Sequence, residues 1–250
     1  MATTQQRDYF AEILLPEIGK SAARLRDSAV TGFLSMCGHL YNKELMVVGR
    51  AVNGWGDRIT PSLLVTSSLA TKYAETVYKE ATDDESCPML WVSNHWGATR
   101  NSGDYNTRTS AFWRVSNKLL DKLGIVSSDD KNWPSHLVWS NLYKVAPASG
   151  GNPSKKLCDI QLDACVHLIE EELSTYRPKR LLLLTGLDWA EPFLKDIEKL
   201  TISNQNFMFV EACAQTNLSV GGTTKIVVAA HPQGKDESTW VQEVIDAFRL

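Results

Sequence analysis

Three features of the sequence predict an α/β fold: short apolar runs of strand length, amphipathic helical stretches between them, and a regular alternation of the two through the second half of the chain. The runs are LMVVG (45–49), HLVWSNLY (136–143), RLLLL (180–184), FMFVEA (207–212) and KIVVAA (225–230). Runs that are apolar on both faces suit strands buried in a parallel sheet, so the expectation is a three-layer α/β/α sandwich with helices on both sides. At 250 residues and 43% hydrophobic content, with no internal repeat and no linker, the chain is read as one domain.

The elements follow in order. Residues 1–44 read as a helical extension, with Phe10, Ile13 and Leu14 and then Leu25, Val30, Phe33 and Leu34 as its apolar positions. The strand 45–49, ended by Gly49, begins the sheet. Pro61 opens a helix whose Leu64, Leu69, Tyr73 and Val77 recur near helical spacing. Residues 82–108 lack periodicity and read as a long functional loop. Thr109 to Leu123 reads as a helix with Phe112, Val115, Leu119, Leu120 and Leu123 on one face, stopped by Gly124. After strand 136–143 and a Gly-Gly-Asn-Pro loop comes a helix with the stripe Leu162, Cys165, Val166, Ile169 and Leu173. Pro178 separates it from strand 180–184; a helix at Trp189 to Leu200, two strands and a closing helix with Trp240, Val241, Val244, Ile245 and Phe248 complete the chain.

Composition narrows the function. A formal charge of -3 and a pI near 6.0 give no global attraction to a polyanion, so a nucleic-acid surface would have to be local. Lys144, Lys155 and Lys156 around one loop, with Arg100 and Arg108 in the irregular stretch, are the candidates for a phosphate-facing patch; the ordinary alternative for each is a solvated surface charge. The five cysteines are scattered with no CxxC pair, which predicts reduced thiols and neither a disulfide framework nor a metal or iron-sulfur motif. The opening MATTQQRDYF has no apolar core fit for a signal peptide, and no run approaches ~18 apolar residues, so a cytoplasmic protein away from the membrane is expected.

Polar groups at the carboxyl ends of apolar strands are the candidate site, because those ends face the ligand crevice of an open α/β sheet. Asn141 ends one strand, and His231, followed by Pro232, ends another. An amide and an imidazole there suit a flat, hydrogen-bonding ring such as a nucleobase. The ordinary alternatives are a capping amide and a satisfied structural histidine. Trp55 is a candidate to close the pocket and Trp96 or Tyr105 to stack on a base, against the commoner fate of packing; Phe112 and Trp113 are assigned to packing.

SNLYKVAP (140–147), the Asn-Pro loop, the helix with Cys165 and Leu168, YRPKRLLLLTG (176–186) and AAHPQG (229–234) resemble, in order and spacing, the second half of the uracil-DNA glycosylase superfamily. The resemblance covers roughly residues 109–235 and implies a four-stranded, mainly parallel central sheet. Its pocket would be lined by Gly49 to Trp55, Asn141 and His231, with Arg50, Tyr105, Lys144 and Gln233 as further ligand contacts. Asn141 would read the edge of a uracil-like base, and His231 would donate to its carbonyl as charge develops there. No metal or other cofactor is implied. The first family motif departs: where the family carries a water-positioning Asp, Glu or Asn and then Pro, this chain has GRAVNGWG, with Arg50 or Ala51 and then Val52. Asn53, and Asp57 beyond it, remain to position water. Two functions are therefore left open: hydrolysis of the glycosidic bond of an altered base in DNA, or non-catalytic binding of a nucleobase, nucleotide or nucleic-acid end.

Overall fold

The computed structural model describes residues 2–82, 87–98, 105–195, 201–202, 207–217 and 222–250. Their strands are β1 (Val30–Gly32), β2 (Met36–Cys37), β3 (Leu45–Gly49), β4 (Arg58–Ile59), β5 (Val138–Asn141), β6 (Val145–Pro147), β7 (Arg180–Leu183), β8 (Thr201–Ile202), β9 (Val210–Asn217) and β10 (Thr223–Ala229). The helices are α1 (Thr4–Tyr9), α2 (Leu15–Lys20), α3 (Ser67–Thr82), α4 (Leu90–Asn94), α5 (Ala111–Lys122), α6 (Lys155–Tyr176), α7 (Leu187–Ala190) and α8 (Glu237–Arg249). The chain divides into two compact units, residues 1–36, 50–83 and 140–175 in the first and residues 37–49, 84–139 and 176–250 in the second.

In the first unit, β1 lies between β4 and β6 in an antiparallel three-stranded sheet, with Gly32 opposite Val145 and Thr31 opposite Arg58. The N-terminal segment is helical only to Leu25, through α1, a π-helical turn (Phe10–Leu14), α2 and a 3₁₀ turn. β1 and β2 then follow within the stretch read as a helical extension. Phe10, Leu14, Leu15 and Ile18 are fully buried. Close packing explains two glycines: a Cβ on Gly32 would lie 2.8 Å from Phe10 Cζ, and one on Gly19 would lie 2.7 Å from the Leu64 carbonyl carbon.

The second unit holds most of a seven-stranded mixed sheet ordered β2-β5-β3-β7-β10-β9-β8; β2 and β5 each begin in one unit and end in the other. β3, β7 and β10 run parallel, Val48 opposite Leu183 and Leu183 opposite Val228. Leu45 to Val48 and Leu181 to Leu184 are buried throughout, as expected for strands covered on both faces. The expected four-stranded sheet is corrected. The four anticipated strands are contiguous as β5-β3-β7-β10, but β2 flanks them on one side, and β9 with β8 extends the sheet antiparallel on the other. β9 runs antiparallel to β10, and its intermittent burial suits a strand with one open face.

α5 begins at Ala111 and ends before Gly124, which takes φ +68 as the left-handed stop required. Its buried face includes Trp113, Val115, Leu119 and Leu120. Arg114 and Lys118 pair with Glu237 at the start of α8, both contacts within 2.7 Å. Phe112 and Trp113 pack with Trp91, Trp133 and Trp139 in an aromatic cluster, as assigned. Of the predicted helix 189–200, the described part is α7 and a 3₁₀ turn (Glu191–Phe193). No helix among the described residues is long and apolar enough to cross a membrane.

Candidate functional site

The segment from Ser140 to Val145 in the first unit is held by one face of α6. Val145 gives its N–H to Gln161 Oε1 (2.9 Å) and accepts from Gln161 Nε2 (2.8 Å), so one side-chain amide satisfies both backbone groups. Lys144 N–H points at Cys165 Sγ (3.4 Å), and burial pushes that thiol up to about 12. The Lys144 ammonium donates to Glu172 Oε1 (2.6 Å), Ser140 Oγ (2.8 Å) and the Asn141 carbonyl oxygen (2.8 Å), and the Ser140 hydroxyl donates to Glu172 Oε2 (2.6 Å). Lys144 is 0% and Glu172 1% exposed. Lys144 is thus not the phosphate contact that the sequence suggested: four methylenes carry its charge inward to a carboxylate on α6 instead of outward to solvent.

Asn141 differs from the side chains of Ser140, Lys144, Gln161 and Glu172 around it. It is 2% exposed, and its Nδ2 is buried with no hydrogen-bond partner among the described residues. A buried donor left unmade costs about 1–3 kcal/mol. Such groups in native structures call for an explanation, of which a missing acceptor is the simplest.

The first-motif loop lies in the same unit. Arg50, half-buried, accepts the Tyr143 N–H at its carbonyl (3.0 Å). Asn53 Oδ1 accepts the Gly151 N–H at 2.5 Å. The two loops meet so closely that a Cβ on Gly54 (φ +68) would lie 3.0 Å from Gly150 N, and one on Gly150 (φ +86) would lie 2.9 Å from Asn53 Oδ1. Trp55 meets the buried Phe33 edge to face, ring centroids 6.3 Å apart. Asp57 is pinned from α3: its carbonyl accepts from the Tyr73 hydroxyl (2.8 Å), and its N–H donates to the Glu80 carboxyl. Glu80 Oε2 is buried without a partner, and burial, then the charge of Asp57, hold this acid above its ordinary value.

In the second unit Gly49 and His231 lie at or just beyond the carboxyl ends of β3 and β10, with β7 between. The chain runs from β3 outward to β5 on one side and from β7 to β10 and β9 on the other, so the order reverses between β3 and β7, where open α/β sheets place their crevice. Ala230, next to His231, is fixed by the Phe209 carbonyl (2.8 Å) and by the buried Trp240 indole N–H (2.8 Å). His231 Nδ1 accepts the Gln233 N–H (3.2 Å), which makes Nε2 the N–H nitrogen of the neutral ring. Gln233 thereby orients the imidazole.

The remaining candidates are surface groups. Tyr105 is 58% exposed. Trp96, half-buried, packs edge to face on Trp133 with centroids 5.6 Å apart. Lys155 pairs with Asp159 (2.9 Å), Lys156 donates to the Arg24 carbonyl (3.2 Å), and Arg108 is exposed. Arg100 and much of the predicted functional loop lie outside the described residues. No group of three or more His, Cys, Asp or Glu suited to a metal ion occurs among the described residues. Glu172, Ser140, Gln161 and Glu80 escaped the sequence reading. The available signal was Gln161 and Glu172 standing with Cys165 and Leu168 at i, i+4, i+7 and i+11 along the helix.

No protein-family model matches the chain, and no curated protein matches it.

Proposed function

We propose that this chain recognises a nucleobase through Asn141, in the manner of the uracil-DNA glycosylase superfamily that residues 109–235 resemble. The observation that carries the reading is the buried, unpartnered Nδ2 of Asn141 beside the hydrogen-bonded side chains of Ser140, Lys144 and Glu172. Such a donor selects a ligand with a carbonyl oxygen at that place, as in uracil, hypoxanthine or xanthine, and disfavours one that offers an amino group. The reading carries with it a three-layer α/β/α arrangement, a cytoplasmic location and DNA as the source of the base.

Recognition without hydrolysis is the form the first-motif loop favours. Asn53 is the amide nearest the place of the family's water-positioning group, and its oxygen is already committed to Gly151. Ala51 offers no polar group, and Arg50 beside a developing sugar cation would oppose it. A hydrolytic form rests on His231, which the family resemblance makes the donor to a departing carbonyl oxygen. Oligonucleotides carrying a single uracil, hypoxanthine or xanthine, assayed in parallel for retention and for abasic sites, separate the two. Retention with no abasic sites is the expected result. Abasic sites that disappear in His231→Ala would establish the hydrolytic form, and neither retention nor cleavage on any of them would refute the proposal.

A further inference from the structure

The bonds around the Lys144 ammonium use all three of its protons, on Glu172, Ser140 and the carbonyl of Asn141, and the Ser140 hydroxyl closes the ring onto the second Glu172 oxygen. Stability alone gives little reason for this arrangement, since a buried ion pair is on average no more stabilising than an apolar pair of the same volume. With both charges essentially without exposure, Lys144 and Glu172 meet no ligand directly. Their contact with anything outside runs through the backbone of Asn141, the residue whose side-chain donor is left open.

We infer that Lys144, Ser140 and Glu172 are positioning residues: the buried ion pair fixes the peptide of Asn141 at the end of β5 so that its amide stays aimed and unpaired until a base carbonyl fills it. This rests on the reading of Asn141 as the base-recognising residue. The geometry supplies the reason the amide does not simply turn to a local partner. Its carbonyl is tied to Lys144 Nζ, while Phe33 N–H holds the Lys144 carbonyl (2.8 Å) and Gln161 holds both backbone groups of Val145. Each peptide from Asn141 to Val145 thus has at least one group engaged, which restrains the segment from turning to meet the amide, so the unsatisfied donor persists.

The double variant Lys144→Met/Glu172→Leu tests this, because it replaces the ion pair by apolar groups of similar volume without leaving a lone charge. Three measurements are made on the full chain: the melting temperature, the side-chain ¹⁵N relaxation of the Asn141 amide, and the affinity ratio for oligonucleotides that differ only in uracil or cytosine at one position. The expected result is a melting temperature at or above that of the parent, an Asn141 amide that loses its rigidity, and a uracil preference reduced about tenfold. A folded double variant whose Asn141 amide is as rigid as in the parent overturns the inference. If the double variant does not fold, Ser140→Ala removes one corner of the ring with no charge exposed, and an unchanged Asn141 amide there overturns it equally. A parent without uracil preference would refute the reading of Asn141, while the relaxation comparison would still decide the role of the ion pair.

Discussion

Two buried polar atoms carry unusual weight in this molecule. Asn141 Nδ2 and Glu80 Oε2 are both left without partners, yet their chemistry differs. A carboxyl group can answer by keeping its proton, and burial followed by the neighbouring Asp57 charge raises the Glu80 acid above 4.5. A raised acid binds protons more tightly in the folded chain, so its contribution to stability is fully present below the unfolded value and is lost as pH rises through the folded one. Glu80→Gln keeps an acceptor for the Asp57 N–H and removes the titration. Urea unfolding of parent and variant between pH 4 and pH 8 is expected to show the parent losing stability relative to the variant as pH rises; parallel profiles would show that Glu80 is not perturbed. An amide has no such escape, which is why Asn141 reads as a site and Glu80 as a clamp on the loop before β4. At this scale the sequence was partly legible. Asn141 could be found because it ends an apolar strand, whereas the direction of Lys144 could not, since a lysine reaches solvent or a buried carboxylate with equal ease from the same backbone.

Helix α6 shows how an element hides its working face. An apolar stripe through Leu162, Cys165, Val166, Ile169 and Leu173 fits the periodicity, but Leu162, Val166 and Leu173 are only half-buried, and the inward face includes Gln161, Cys165, Leu168 and Glu172. Counting only apolar residues turned the helix away from the side that holds the Asn141 segment. Burial of Gln161 is made possible by its two bonds to Val145, so Gln161→Leu should strand both backbone groups and destabilise the chain by roughly 3 kcal/mol. A guanidinium denaturation series would show this as a lower midpoint at unchanged slope; an unchanged midpoint would mean that water or a shifted side chain takes over both bonds. α5 and α8 were easier to read, because their inward faces are mainly apolar and their ends carry ordinary signals, Gly124 after the one and the Asp236 cap on Thr239 N–H (2.9 Å) before the other.

At the scale of the whole chain, the alternation of strands and helices located β3, β5, β7 and β10 correctly, while β1, β2, β4 and β6 went unread because two or three residues give no periodicity to see. Each compact unit is built from three separated stretches of sequence. The fragment 1–139, which lacks β6 and α6, is therefore expected to show no cooperative unfolding transition by circular dichroism. A sharp transition there would mean that the first unit does not depend on its third stretch. The central claim is that Asn141 gives up stability for recognition, and Asn141→Leu tests it most directly, since it fills the same space and removes the unpaired donor. The measurement is the melting temperature of parent and variant beside their affinities for uracil- and cytosine-bearing oligonucleotides. The account predicts a variant at least as stable as the parent, by up to about 1 kcal/mol, with the preference for uracil abolished. A variant that is clearly destabilised while binding both oligonucleotides as the parent does would contradict it.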